Sequence, residues 1–295
     1  MKSIFSFFLV LLISLSALCQ EAKWSTVKSE QLIRVLANDS MQGRRAGSKY
    51  EVASLDYIKS MFNSAFKKKL KEQHFEVILQ ENDKLDCVNG YCFFNKKKKQ
   101  TVVISAHYDH IGLGGVLSKA ATSIEVHNGA DDNASGVAAV FQFVDYYLQN
   151  ECDFNLLVVF YSAHEIGLFG SQNFYPISKK KKYSPTLLHI NFDMVGRFDF
   201  SKNEIRISYS PELNNCLPER FEVDSKEVKV ISSPENKLEQ LDTKWSYLDK
   251  LNCVNITTGI HVDYHTPSDD AEFINFEGIK VASQLAYEVA MKAAR

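Results

Sequence analysis

Five stretches of the chain gather the side chains that bind metal ions or move protons. They are Ser105-Ala106-His107-Tyr108-Asp109-His110, Ser162-Ala163-His164-Glu165, Asn191-Phe192-Asp193, Tyr264-His265-Thr266-Pro267 and the run Asn128-Gly129-Ala130-Asp131-Asp132-Asn133-Ala134-Ser135-Gly136. Taken singly each has an ordinary explanation: a His-x-Asp can be a hydrogen-bonded surface pair, an Asp before a helix an N-cap, an Asp after a strand a turn residue. Taken together they follow apolar runs or open a helical pattern, so strands ending on one sheet edge would bring them together in space. Imidazole nitrogens with three carboxylates suit zinc, and one bridging carboxylate would hold two ions about 3.5–4 Å apart. The zincin motif H-E-x-x-H is absent because position 168 is Leu168, and no G-x-S-x-G elbow, P-loop or paired C-x-x-C competes for the assignment.

The intervening elements are of the kind that could do this positioning. Residues 29–38 and 48–63 carry helical spacing, with Val52, Leu55, Ile58 and Phe62 on one stripe and Gly43–Gly47 breaking between them. Beyond them come short β-rich runs at Phe75–Leu79, Thr101–Ala106, Leu156–Ser162, Leu187–Phe192, Glu204–Tyr209 and Cys253–Thr258. Several are apolar without alternation, as strands covered on both faces are. Helical patterns fall between them at Ser135–Leu148, after Gly167 and from about Phe276 to Ala294. The expected fold is α/β: a single domain with a mixed, mostly parallel central sheet and helices on both faces, its site at the strands' carboxyl ends.

Composition narrows the function classes. With 295 residues, 45% hydrophobic and 24% charged, the chain has the make-up of a globular protein. Lys+Arg 34 against Asp+Glu 36 gives a net charge of -2, which removes the electrostatic case for nucleic-acid binding. The lysine runs Lys96–Lys99 and Lys179–Lys182 read as solvated loops. After Lys2, the apolar stretch Ile4–Leu18 fits a signal-peptide core, with Ala17 and Cys19 as small residues before a cut at Gln20. Residues 1–19 are therefore expected to be removed on export to the periplasm or the exterior, leaving residues 20–295 as the catalytic domain with an N-terminal helical segment at about 24–65. Leu18 disfavours lipid attachment at Cys19, so no stable membrane contact is expected. Five cysteines remain, and Cys87-Val-Asn-Gly-Tyr-Cys92 could form a hairpin with an Asn-Gly turn that allows a disulfide; two unpaired residues along one strand is the competing reading.

The motifs resemble those of metallopeptidase family 28, the co-catalytic zinc exopeptidases of clan MH. Ser-Ala-His107-Tyr-Asp109-His-Ile-Gly is similar to the family's first-ligand strand, Gly-Ala-Asp-Asp132-Asn-Ala-Ser-Gly to its bridging-aspartate segment, and Ser-Ala-His164-Glu165-Ile-Gly-Leu-Phe-Gly-Ser to its Glu-Glu segment. Asn-Phe-Asp193-Met-Val-Gly-Arg and Tyr264-His265-Thr-Pro-Ser-Asp269 complete the order, and Met-Gln-Gly-Arg-Arg-Ala-Gly-Ser resembles a segment that precedes such domains, so the likeness spans nearly all of residues 24–295. The resemblance implies two zinc ions per chain: His107 and Asp193 on one, Glu165 and His265 on the other, Asp132 bridging, with a cis peptide after it. It implies that Asp109 fixes the His107 tautomer and that Tyr264 stabilises an oxyanion. The expected activity is aminopeptidase hydrolysis of N-terminal residues from peptides through a metal-bridging water.

The sequence departs from that pattern where the family's base, the first of two glutamates, is replaced by His164. An imidazole can serve as a general base near neutrality, so His164 is the candidate base. The alternative is a zinc-holding binding module with weak or no peptidase activity. Glutaminyl cyclases of the same fold usually keep the glutamate, so the change lends them no support. The stretch Leu241–Tyr247 also lacks an Asp-His pair common before the last ligand.

Overall fold

The computed structural model describes residues 25–79, 83–120, 124–183, 185–234 and 238–295. The inferred signal segment at 1–19 lies outside them. The chain begins with helices α1 (Thr26–Leu36) and α2 (Lys49–Phe66). Ser48 caps α2 by accepting the Glu51 N–H at 3.2 Å, while Glu51 reaches back to the Gly47 N–H at 2.7 Å, a close variant of the reciprocal capping box. Leu55, Ile58 and Phe62 are buried as the spacing predicts, but Val52 faces solvent; the buried stripe runs instead through Glu51 and Ser54.

Strands β1 (Lys71–Ile78), β2 (Lys84–Phe94), β3 (Gln100–His107), β4 (Phe154–Tyr161), β5 (Thr186–Phe192), β6 (Glu204–Tyr209), β7 (Arg220–Val223), β8 (Lys226–Pro234) and β9 (Cys253–Thr257) form one sheet of order β1-β2-β4-β3-β5-β9-β6-β8-β7. Its centre, β4-β3-β5-β9, is parallel, and β6 also runs parallel to β8. The pairings β1-β2, β2-β4, β6-β9 and β7-β8 are antiparallel, so the sheet is mixed, with its parallel part confined to the middle.

Alternation in the central strands divides the core. Val102 and Ile104 pack with α1, α2, α3 (Gly136–Gln149) and α6 (Phe276–Ala293) on one face. Val103, Leu157 and Val159 pack with Phe174 of α4 (Phe169–Ser178) on the other. Both faces are covered, which is why these strands read as unbroken apolar runs. A short helix, α5 (Lys244–Leu248), lies against α4.

Of the two readings of Cys87 and Cys92, the hairpin is not formed and the single strand is. Residues 84–94 are one continuous strand, and both thiols are free and buried. Five residues apart on a strand they point to opposite faces, Cys92 into the larger core and Cys87 into a small cluster with Ala46, Val77 and Ala163. Asn89-Gly90 serves packing instead: a Cβ on Gly90 would lie 2.8 Å from Leu55 Cδ1, and the Asn89 amide holds the Gly170 carbonyl and the Ser162 N–H. The lysine runs lie in exposed loops, apart from Lys96, whose ammonium caps the end of α3 through the Tyr147 and Asn150 carbonyls at 2.9 and 3.0 Å.

Candidate metal centre

The parallel strands deliver the predicted side chains to one edge. His107 is the last residue of β3, His164 and Glu165 follow β4, Asp193 follows β5, and His265 lies in the loop after β9. Asp132 arrives from the turn before α3, across a cis Asp132–Asn133 peptide. Ligand atoms of His107, His164 and Asp193 lie within 4.8 Å of one another, as do those of His110, Asp132, Glu165 and His265.

Asp132 stands between the two groups. Its Oδ1 is 3.3 Å from His107 Nε2 and its Oδ2 is 3.2 Å from His265 Nε2. His265 Nε2 is also 3.2 Å from Glu165 Oε2, and His107 Nε2 is 3.9 Å from Asp193 Oδ1. Neither Nε2 makes a hydrogen bond, although both are buried. Two donors bound at about 2.0–2.2 Å to one tetrahedral ion stand about 3.3 Å apart, so this spacing without hydrogen-bond geometry is what ligands of a shared cation show. Asp131 faces elsewhere: its Oδ1 accepts from Ser135 Oγ at 2.9 Å and the Gly196 N–H at 2.5 Å, which ties the turn that carries Asp132 to the loop after β5.

The imidazoles are pre-oriented. The Nδ1–H of His107 donates to the Asp109 carbonyl at 3.2 Å, that of His265 to the Leu117 carbonyl at 2.9 Å, and that of His164 to Asp242 Oδ2 at 2.9 Å. In each case Nδ1 is engaged, the arrangement outer hydrogen bonds give to metal-binding histidines. The Asp109 carboxylate is 3.7 Å from His107 Nδ1 and accepts instead from the His164 and Glu165 N–H groups at 3.1 and 3.2 Å, fixing the backbone that carries both. His110, given no role from the sequence, donates from Nδ1 to Glu165 Oε1 at 3.1 Å.

Electrostatics favour bound positive charge. Burial pushes Asp132 and Glu165 toward their neutral forms, as does Asp132 at Glu165; His107, His265 and His110 outweigh this at Asp132, and His110 and His265 at Glu165, holding both carboxyls below their ordinary range. Burial likewise opposes charging of His265, yet Asp132 and Glu165 bring it up to about 10. A buried carboxylate cluster that calls for this much compensating charge is one a divalent cation satisfies. Burial, with the nearby acids, raises Tyr264 well above its usual range, so its hydroxyl stays a proton donor; its ring leans on His265 at 4.0 Å.

His164 stacks on His107 with ring centres 3.8 Å apart and planes 8° from parallel. Burial and the His107 ring lower its proton affinity, but Asp242 and Asp193 overcome them and bring it to about 9. Asp242, fully buried just before α5, was missed from the sequence: its partner lies 78 residues away, and the stretch around it lacks the expected Asp-His pair. Arg44 is the other hidden support. Wholly buried, it donates to the carbonyls of Leu36, Tyr108, Asn128 and Gly129 at 2.6–2.9 Å, joining the N-terminal helices to the loops beside His107 and Asp132. Gly43 beside it, at φ 66°, admits no Cβ, which would fall 2.4 Å from the Gly112 carbonyl.

A three-layered α/β sheet that presents two adjoining His/carboxylate clusters at its carboxyl edge belongs to the metal-dependent hydrolases. Within that class, the chain is a member of peptidase family M28, whose model matches residues 92–290. Among solved structures, a leucine aminopeptidase precursor from Bacteroides thetaiotaomicron superposes with TM-score 0.73 at 17% identity, covering 91% of this chain and 97% of that one. An aminopeptidase from an Aneurinibacillus species gives 0.73 at 14% identity, covering 92% and 95%. A glutaminyl cyclase from B. thetaiotaomicron gives 0.70 at 17%, covering 91% and 98%, so the fold alone does not separate the two chemistries. No curated protein matches the chain in sequence.

Proposed function

We propose that this chain is a zinc aminopeptidase with two ions per chain, His107 and Asp193 on one, Glu165 and His265 on the other, and Asp132 bridging. The observation that carries the reading is Asp132 itself, whose two oxygens each face the buried Nε2 of a different imidazole, neither of which makes a hydrogen bond. Bound zinc would supply Lewis-acid polarisation of the scissile carbonyl and acidify water in the site. His164, its Nδ1–H held by Asp242, would present Nε2 as the acceptor for the proton that water gives up once bound zinc offsets the pull of Asp242 and Asp193 that favours the charged ring. Tyr264 offers its neutral hydroxyl to the developing oxyanion. Asp109 and His110 act at one remove, fixing the His164-Glu165 backbone and the Glu165 carboxylate. The substrate is a peptide with a free N-terminus. The apolar Ile4–Leu18 stretch supports export and removal of residues 1–19, which the intact mass of the exported chain tests.

Zinc-loaded protein should release the reporter from leucyl p-nitroanilide and leave its N-acetylated form intact. Loss of both activities, or equal cleavage of both, contradicts the aminopeptidase assignment. Release of ammonia from N-terminal glutaminyl peptides without peptide cleavage would support a cyclase instead.

A further inference from the structure

A cavity of about 650 Å³ opens beside the clusters, lined on one side by Asp132, His164, Asp193 and Tyr264. Its opposite wall comes from β6, β8 and β9 and contains Arg206. Topology explains the placement. β6 runs antiparallel to β9 and Arg206 pairs with Thr257, at the carboxyl end of β9, so Arg206 sits on the same sheet edge as the metal-binding side chains. Its neighbours Ile205 and Ile207 are buried in the core, which turns Arg206 to the other face. The stem lies along the loop after β9, since a Cβ on Gly259 would be in ordinary contact at 3.4 Å with Arg206 Cδ and Nε.

Arg34, Arg197 and Arg220 each pair with a carboxylate, but Arg206 has no ion-pair partner among the described residues. The carboxylates lining the cavity are Asp132 and Asp193, both engaged in the clusters. Lys202 adds a second cation on the same wall, exposed and only 3.5 Å from Asp199. The remaining lining there mixes hydroxyl and amide groups, including Ser208, Ser233 and Asn255, with Ile207, Ile231 and Ile260. An exposed guanidinium on the wall of a partly enclosed cavity, without its own counter-ion, is suited to receive a planar anion through two parallel hydrogen bonds.

We propose that Arg206, assisted by Lys202, forms a subsite for a substrate carboxylate. The inference rests on the aminopeptidase reading and adds a substrate class to it: peptides that bring a carboxylate into this cavity. In a short peptide that group is either an acidic N-terminal side chain or the free C-terminus of a dipeptide. The subsite is separate from the metal-binding carboxylates and determines preference, not chemistry.

Four dipeptides distinguish the sources: Glu-Ala amide against Gln-Ala amide for the side chain, and Ala-Ala against Ala-Ala amide for the terminus. With zinc-loaded protein, kcat/KM for the charged member of at least one pair should exceed that of its neutral partner by about 10- to 100-fold, the range of a hydrogen-bonded ion pair, mostly through KM. Arg206→Ala should bring that ratio close to one, Arg206→Glu should take it below one, and Arg206→Lys should keep part of it. Ratios near one in the native protein, or a ratio that Arg206→Ala leaves unchanged, overturn the subsite. If no dipeptide is cleaved, the peptidase reading fails on its own, and calorimetric binding of the same four compounds still decides the subsite: the charged member must bind at least about tenfold tighter, and Arg206→Ala must abolish the difference.

Discussion

Replacing His164 with glutamate restores the residue that the resemblance leads one to expect, yet the structure argues that activity will not rise. Asp242 Oδ2 lies 2.9 Å from His164 Nδ1 in a fully buried position, where an imidazole N–H is the natural partner. A glutamate there would set a second carboxylate against Asp242. Two unit charges about 4 Å apart at an effective dielectric of about 20 repel by about 4 kcal/mol, or about three pKa units. Asp242 raises the proton affinity of His164 as well, so the difference lies in positioning: a glutamate has no N–H to give Asp242, is pushed away from it, and loses the contact that holds the base in place. His164→Glu should therefore have kcat/KM at pH 7 no higher than the native protein. Adding Asp242→Asn removes the repelling charge and should raise kcat/KM at least about tenfold over the single variant, bound zinc acting alike in both. The assay is hydrolysis of a leucyl reporter from pH 5.5 to 9, with zinc content measured on each variant. A His164→Glu single variant more active than the native protein, or a double variant no better than the single, would refute the reasoning.

Further outcomes follow from other groups. His164→Ala should lower kcat by about 10²–10⁴-fold with zinc retained, the usual share of a general base, as steady-state kinetics beside metal analysis will show. Arg44→Ala strands four buried carbonyls and should cost about 3–5 kcal/mol in urea unfolding, with Arg44→Lys recovering only part because it lacks the planar fork. Glu51 is raised to about 8, by burial first and then by Asp109. Its folded pKa exceeds the unfolded one, so native stability is full below about pH 4.5 and is lost at up to about 1.4 kcal/mol per pH unit as pH rises through 8. Urea midpoints of Glu51→Gln should lack that decline. Burial pushes the Cys87 thiol up to about 12 and Cys92 up to about 11, so native protein should resist alkylation at both, and mass spectrometry of denatured protein should find both reduced.

The sequence disclosed the parts of the fold that obey local periodicity. Runs such as Thr101–Ala106 and Leu156–Ser162 are apolar because both sheet faces are covered, and they appear as β3 and β4 nearly as read. Turn chemistry misled where tertiary packing overrode it. Asn89-Gly90, a strong hairpin signal, lies inside β2 because Leu55 and Leu70 need the space a side chain would fill, whereas a tight hairpin forms at Asp224-Ser225, both in the left-handed region, between β7 and β8. The strands on either side of that turn lack the unbroken apolar runs of the central ones because β7 and β8 carry exposed charges such as Glu222 and Lys229. At the site, residues with a motif around them were legible, His107 and Glu165 among them. Asp242 and Arg44 were not, because their contacts are with partners brought near by the fold and not with their neighbours in the chain.

Zinc stoichiometry tests the central claim most directly. Elemental analysis of protein reconstituted with zinc and freed of excess should return close to two ions per chain, falling to less than one in Asp132→Ala, because a single carboxylate faces both imidazoles. One ion in the native protein, or two retained after Asp132→Ala, would contradict a bridged two-metal centre.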